Sequence, residues 1–273
     1  MNESIVRALS GIVYIALLLG ATLYSPGSFM VLFGVFMMIA IGEFCRLAGI
    51  KMMLPLITGI AFLGLFVFVI PNDSASANLC LSLGSVLIGI LLLEDLFSKR
   101  PSAQKNNIVK AAQLIGYVIF PFLLIIKFPF LFEGKYDIVI YSIVGAFIII
   151  WTNDTFAYIV GKAIGKHKLF ERISPKKTIE GFLGGMLFAI TAGYIISIYH
   201  DFLSPAHWMA SAVILVIFGT LGDLVESKFK RTAGVKDSGN IMPGHGGILD
   251  RLDSIIFAIP FLFLYFQIIY YVS

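Results

Sequence analysis

Nine windows of roughly twenty predominantly apolar residues follow one another along this chain, at 5–24, 29–47, 54–70, 79–97, 112–132, 138–160, 179–199, 208–226 and 254–272. A helix of about 20 residues rises about 30 Å, the thickness of a bilayer's hydrocarbon core. In that medium every backbone polar group must be paired internally, and unbroken apolar windows of this length meet the demand as helices. The expected fold class is therefore an all-α polytopic membrane protein of about nine transmembrane helices, the third window being the shortest. Composition agrees: 59% of residues are hydrophobic and 13% charged, whereas charged residues make up about a quarter of a soluble domain.

Charge placement gives the expected orientation. Alternate loops hold 18 of the 20 lysines and arginines, the exceptions being Lys127 and Lys135. The positive-inside rule then puts the N-terminus in the cytoplasm and the C-terminus outside, in an integral plasma or inner membrane protein whose polar motifs face the cytoplasm. The net charge of +4 follows topology, so no nucleic-acid partner is expected. In the loop at 98–111 the cations serve orientation and attraction to anionic lipid. Cys45 and Cys80 fall near opposite ends of their spans, too far apart for a disulfide. The first window lacks a small-x-small cleavage site and reads as a retained helix rather than a signal peptide. With no long linker and no internal repeat, 1–273 reads as a single membrane domain, its helices in 1–135 a scaffold and those in 138–273 the carriers of the catalytic motifs.

Two polar regions interrupt this apolar chain. In the first, Trp151 to Gly185, Asn153 and Asp154 lie about six residues inside the sixth span, on the order of 9–10 Å deep at 1.5 Å per residue. An ionisable residue at that depth is a functional candidate by default, although pairing with a lysine of a neighbouring helix would also account for it. Lys162 and Lys166 suit the end of that helix and read as structural. Ser174-Pro175-Lys176-Lys177-Thr178 reads as an N-cap followed by a first helical proline, so the seventh helix is expected to start here. Two lysines at a helix start are unfavourable unless an anion arrives, and with the hydroxyls and free N–H groups they describe a phosphate site. Gly181, Gly184 and Gly185 are expected to let helices pack closely.

The second region, SKFKRTAGVKDSGNIMPGHGGILDRLD from Ser227 to Asp253, sets cations and carboxylates around a glycine-rich turn. Buried charge is costly unless paired, hydrated or used, which makes this run the first place to look for chemistry. If the eighth helix continues through them, Asp223, Glu226, Ser227 and Lys230 share a face. Asp250 and Asp253 share another at the start of the ninth, with Arg251 turned aside. Hard oxygen donors with no Cys or His cluster suit Mg2+ rather than zinc, with Asp223, Asp250 and Asp253 as the candidate ligands; a cap for the ninth helix is the plainer role of the last two. Pro243-Gly244-His245-Gly246-Gly247 is a backbone device, its glycines allowing positive φ and close approach of an anion to main-chain N–H groups.

In this order, Ser227, Lys230-Arg231, Lys236-Asp237, Pro243-Gly244-His245-Gly246-Gly247 and Asp250-Arg251-x-Asp253 resemble the signature of the phosphatidate cytidylyltransferase (CDP-diacylglycerol synthase) family. The run from Ser174 to Gly181 and the Arg7, Ser10, Gly11 start are also similar, while Phe229 stands where the family more often has an aliphatic residue. The resemblance implies a reaction of CTP with phosphatidic acid, Mg2+ as the required ion, a second cation such as K+ beside it, and a homodimer among membrane lipid. The residues expected to act catalytically are Asp223, Asp250, Lys230, Arg231 and Lys236. Those expected to bind substrate are Asn153, Asp154, Ser174, Lys176, Lys177, Thr178, Ser227, Lys228, Asp237, His245, Gly246, Gly247 and Arg251. A lipid phosphate is already an anion at pH 7, so no general base is expected, and the task is charge management between two polyanions. The alternatives are another CTP-dependent lipid transferase or kinase and, in a different class, an anion transporter.

Overall fold

The computed structural model describes residues 3–71, 74–98, 106–131, 136–201 and 203–272. Helices α1 (Glu3–Tyr24), α2 (Pro26–Ala48), α3 (Met53–Gly64) and α4 (Ala75–Phe97) make the first half, α3 running on into a π turn, Leu65–Val69. Helices α5 (Asn107–Gln113) and α6 (Phe120–Lys127), joined by a second π turn, Leu114–Ile119, form one rod. After α7 (Tyr136–Ile164) comes a hairpin of β1 (Lys168–Phe170) and β2 (Ser174–Thr178), then α8 (Ile179–Tyr199), α9 (Pro205–Thr232) and α10 (Leu249–Val272).

Eight helical stretches among the described residues are long and apolar enough to cross a membrane, which makes this an integral membrane protein. The window at 54–70 is the shorter apolar helix Met53–Val69. It nevertheless starts beside Gly42 of α2, against which Met52 packs, and ends near Lys127, whose ammonium donates to the Pro71 carbonyl at 3.1 Å.

Two further departures from the expected all-α chain concern the region before α8. Ser174-Pro175 does not start a helix. These residues begin β2, where the fixed φ of proline fits an extended strand as well as a first helical turn, and β2 pairs antiparallel with β1, Lys168 opposite Thr178 and Phe170 opposite Ser174. The helix start moves to Thr178, whose hydroxyl accepts from the Gly181 N–H at 3.1 Å. Lys176 and Lys177 consequently lie on a strand and not on a helix N-terminus. The hairpin is tied at both ends. Glu180 accepts from the N–H groups of Lys166 and His167 at 3.0 and 3.2 Å. Arg172, in the turn, donates to the last carbonyls of α4, Leu96 at 2.6 Å and Ser98 at 2.9 Å.

Glycine sets the spacing of the helices that carry the polar residues. A Cβ on Gly185 would lie 2.6 Å from Asn153 Oδ1 and 2.8 Å from the Asn153 carbonyl, so α7 and α8 touch backbone to backbone there. A Cβ on Gly222 would meet the Asp253 carbonyl at 2.7 Å, which draws α9 and α10 together at the level of Asp223 and Asp253. Cys45 is buried, Cys80 is exposed, and both are free thiols.

Candidate active site

One end of the bundle gathers nearly all the chemistry-bearing residues, in three adjoining cavities. The first, about 380 Å³, lies between α7, α8, α9 and β2 and is lined by Asn153, Asp154, Lys176, Lys177, Thr178 and Asp223. Asp154 also lines the second, about 240 Å³, with Asp250, Arg251, Asp253 and His245. His245 and Arg251 in turn line the third, about 270 Å³, with Arg7, Lys236, Asp237 and Gly246. The shared residues join the cavities end to end, with cations at both ends and carboxylates between.

Within the first cavity Lys177 reaches down from β2 to pair with Asp223 on α9. The Ser227 hydroxyl, one turn along α9, donates to Asp223 Oδ1 at 3.2 Å, so the shared face expected of these residues exists. Asp253 lies within electrostatic reach of Asp223, Lys177 and Asp154.

Asp250 is placed differently from Asp223. Its Oδ2 accepts from the Ser238 N–H, the Ser238 hydroxyl and the Gly247 N–H, each at 2.8 Å, and its Oδ1 from Lys230 at 2.7 Å. The side chain is only 4% exposed. Lys230 is shared with the fully buried Glu226 on its own helix, so its ammonium is divided between two carboxyl groups rather than facing a cavity. Among the described residues no three His, Cys, Asp or Glu side chains form a ready-made metal cage. The trio of Asp223, Asp250 and Asp253 is accordingly not assembled as one, since Asp250 has Oδ2 engaged by the loop and Oδ1 by Lys230.

That loop, from Val235 to Ile248, is shaped by its glycines. Gly244 and Gly246 adopt positive φ of 76° and 86°, which only glycine takes at little cost. Met242 pairs with Gly246 through N–H···O bonds of 3.0 and 3.1 Å. His245 is held at its ring, Nδ1 lying 2.7 Å from the Ser10 hydroxyl of α1. Burial, with the charges of Arg251 and Arg7 adding to it, keeps this imidazole below its ordinary pKa of 6.5.

Glu43 is the functional residue that the sequence reading passed over. Its side chain sits inside α2 at 1% exposure. Oε1 accepts from the Ile248 N–H at 3.1 Å, and Oε2 from the Leu249 N–H at 2.8 Å and the Ser238 hydroxyl at 3.1 Å. It caps the start of α10 from another helix and pins both ends of the loop, and Gly239 and Gly247 lie over its carboxylate with no room for a Cβ. The signal was available: a carboxylate inside an apolar window, the same reason that singled out Asp154.

Ser227, Lys230 and Gly247 line none of the three cavities but bond to residues that do, and three further expected site residues lie elsewhere. Lys228 points to the opposite face of α9, paired with Asp95 at 2.8 Å. Arg231 donates to the Val235 carbonyl at 3.2 Å and closes the end of α9. Ser174 lies on β2 at the far end of the hairpin from Thr178 and lines none of the three cavities.

The sequence model of the cytidylyltransferase family matches residues 5–269, both halves of the bundle and all three cavities. The chain belongs to that family. It is 37% identical over 261 residues to the phosphatidate cytidylyltransferase of Staphylococcus haemolyticus, covering 94% of this chain and 96% of the relative. To the enzyme of the same name from Staphylococcus saprophyticus it is 41% identical over 206 residues, 74% of this chain and 76% of the relative. With that of Staphylococcus epidermidis it shares 51% over 139 residues, about half of each chain.

Two outcomes follow for this cytidylyltransferase. Glu43→Gln leaves one acceptor oxygen where two are engaged and turns an NH2 group toward a backbone N–H, at a cost of about 1–3 kcal/mol. The unfolding midpoint of the purified protein should drop and turnover should fall with it; an unchanged midpoint would remove Glu43 from this capping role. For His245, a folded pKa below the unfolded value means that the neutral ring's contribution is complete above 6.5. It is lost as pH falls through the lower folded value. Turnover should therefore decline on the acid side, and His245→Gln should lack that part of the decline; superimposable profiles would sink the assignment.

Proposed function

We propose that this family member transfers the cytidylyl group of CTP to phosphatidic acid, giving CDP-diacylglycerol and pyrophosphate for phospholipid biosynthesis. The observation that carries the reading is the row of joined cavities, with Lys176 and Lys177 at one end, Arg7, Lys236 and Arg251 at the other, and carboxylates between them. Two polyanions can each be clamped by cations while their reacting ends meet in the middle. The names of the relatives point to the same reaction.

In this reaction a phosphate oxygen of the lipid attacks the α-phosphorus of CTP. The new P–O bond forms as the bond to the α,β-bridging oxygen breaks, and the electron pair leaves with pyrophosphate. The attacking oxygen carries its own charge, so no residue has to remove a proton. Lysines and arginines hold the phosphates in line and offset their repulsion, which is how most phosphoryl-type transfers are accelerated. Lys177 pairs with Asp223; a triphosphate that draws the ammonium away frees this carboxylate.

Mg2+ fits the donor set at Asp223 and Asp253, because this ion commonly takes one or two carboxylates and completes its shell with water and phosphate oxygens. When bound, it supplies neutralisation of the triphosphate charge. Asp250, its oxygens already engaged, acts by holding the loop. We infer a homodimer, which the family resemblance implies. We also infer nine crossings, with the N-terminus and the joined cavities on the cytoplasmic side and the C-terminus outside. Support comes from the path of Met53–Val69 between the levels of Gly42 and Lys127 and from the 18 cations in alternate loops.

Detergent-purified protein given CTP, phosphatidic acid and Mg2+ should release pyrophosphate and form CDP-diacylglycerol, identified by mass spectrometry. Asp223→Asn should lower turnover by about two orders of magnitude, roughly 3 kcal/mol of transition-state stabilisation. Lys177→Gln should raise KM for CTP. Release of pyrophosphate with no lipid product, or Asp223→Asn activity above about a tenth of wild type, would overturn the reading. For the topology, a reporter fused after Lys168 should read cytoplasmic and one fused after Ser273 external; both on one side would refute nine crossings.

A further inference from the structure

A fourth cavity, about 400 Å³, opens on the other face of α9, among the ends of α2, α4 and α9 and the start of the rod at Asn107. Its polar wall carries Arg46, Lys110 and Lys228 against a single acid among the described residues, Asp95. Asp95 is taken by Lys228 at 2.8 Å, and neither Arg46 nor Lys110 has an acidic partner among the described residues. Arg46 Nη2 nevertheless stands near Glu43, since a Cβ on Gly239 would lie 3.2 Å from the one and closer still to Glu43 Oε1, which leaves Lys110 as the cation of this wall with no acid beside it among the described residues. Its other wall is apolar, made by Leu47, Leu92, Val225 and Phe229.

A cation in the last turn of a helix, such as Arg46 on α2, is accounted for by the helix dipole. Lys110 is not. It lies one turn into the span that begins at Asn107, where the partial positive charge of a helix start disfavours a cation unless an anion is near. A basic pocket between membrane helices, apolar on one side and level with the helix ends, has the chemistry of a phospholipid headgroup site. The volume suits one headgroup with the first carbons of its chains.

We propose that this cavity binds the phosphate of an anionic glycerophospholipid that is not the substrate. The face of α9 that lines it, Val225, Lys228, Phe229 and Thr232, is turned away from Asp223, Ser227 and Lys230. Phe229 packs between Phe44 and Tyr117 at ring distances of 5.3 and 5.5 Å. The lipid braces the back of the helix whose front carries Asp223.

The test is retention of phosphatidylglycerol by the full-length protein in native mass spectrometry, without CTP, so that the result stands whether or not the turnover reading does. Wild type should retain phosphatidylglycerol over phosphatidylcholine. Arg46→Gln with Lys110→Gln should weaken retention roughly thirtyfold, the combined effect of two cations at a headgroup, and Lys110→Gln alone roughly fivefold. The single variant serves if the double one fails to fold. Equal retention in wild type and the variants, or equal retention of the zwitterionic lipid, would overturn the proposal. Displacement by inorganic phosphate or glycerol 3-phosphate would assign the cavity to a soluble anion. In the turnover assay Lys110→Gln should leave KM for phosphatidic acid unchanged; a raised KM would make the cavity the substrate's own and refute a second lipid.

Discussion

Two buried carboxylates, Glu43 on α2 and Asp250 on α10, converge on Ser238, and the geometry of the catalytic end depends on this convergence. A carboxylate taken out of water loses several kcal/mol of solvation unless donors replace it. Here the replacement comes from the backbone N–H groups of Ser238, Gly247, Ile248 and Leu249, the Ser238 hydroxyl, and Lys230. These donors belong to the loop and the helix start that must be placed for Lys236, His245 and Arg251 to line the cavities. The same contacts settle the charge of the carboxylates and the shape of the loop, so neither can be altered alone.

The remaining walls are held by contacts of a different kind. Backbone touches backbone at Gly185 and Gly222, which sets how closely α7 approaches α8 and α9 approaches α10. The hairpin carrying Lys176 and Lys177 is slung between α4, through Arg172, and α8, through Glu180. Asp223 and Asp253 thus sit on helices, while Lys176, Lys177 and Lys236 ride on a tethered strand and a loop. This division suits a site that must hold its carboxylates still and let long cationic side chains follow a departing pyrophosphate.

Much of this was legible in the sequence, because hydrophobic length fixes spans and helical spacing fixes which residues share a face. Asp223 and Ser227 are one turn apart and do meet. What the sequence concealed was rotation and distance along the chain. Ser227 and Lys228 are neighbours in a run of charge, yet one residue turns a helix by about 100°, and Lys228 leaves the site for Asp95. Ser174-Pro175 read as a helix start, but pairing of β2 with β1 carries the strand through it and moves the start to Thr178. Glu43 stood out only as an acid inside an apolar window; its partners are hydrogen-bonding groups of the backbone and a serine far downstream, which leave no charge pattern to read.

That separation has a consequence for how the protein is made. Glu43 must wait for acceptor-hungry groups that lie 195 to 206 residues further on. At the usual pace of synthesis this is on the order of 10–40 s. During that interval α2 has already left the ribosome with an acid in an apolar helix and nothing to satisfy it, so it must linger near the interface or stay protonated. The catalytic end can close only after Leu249 has emerged. Biogenesis therefore ends where chemistry begins: in this chain the loop that lines the cavities gains its Glu43 anchor only once the last helix has started to emerge.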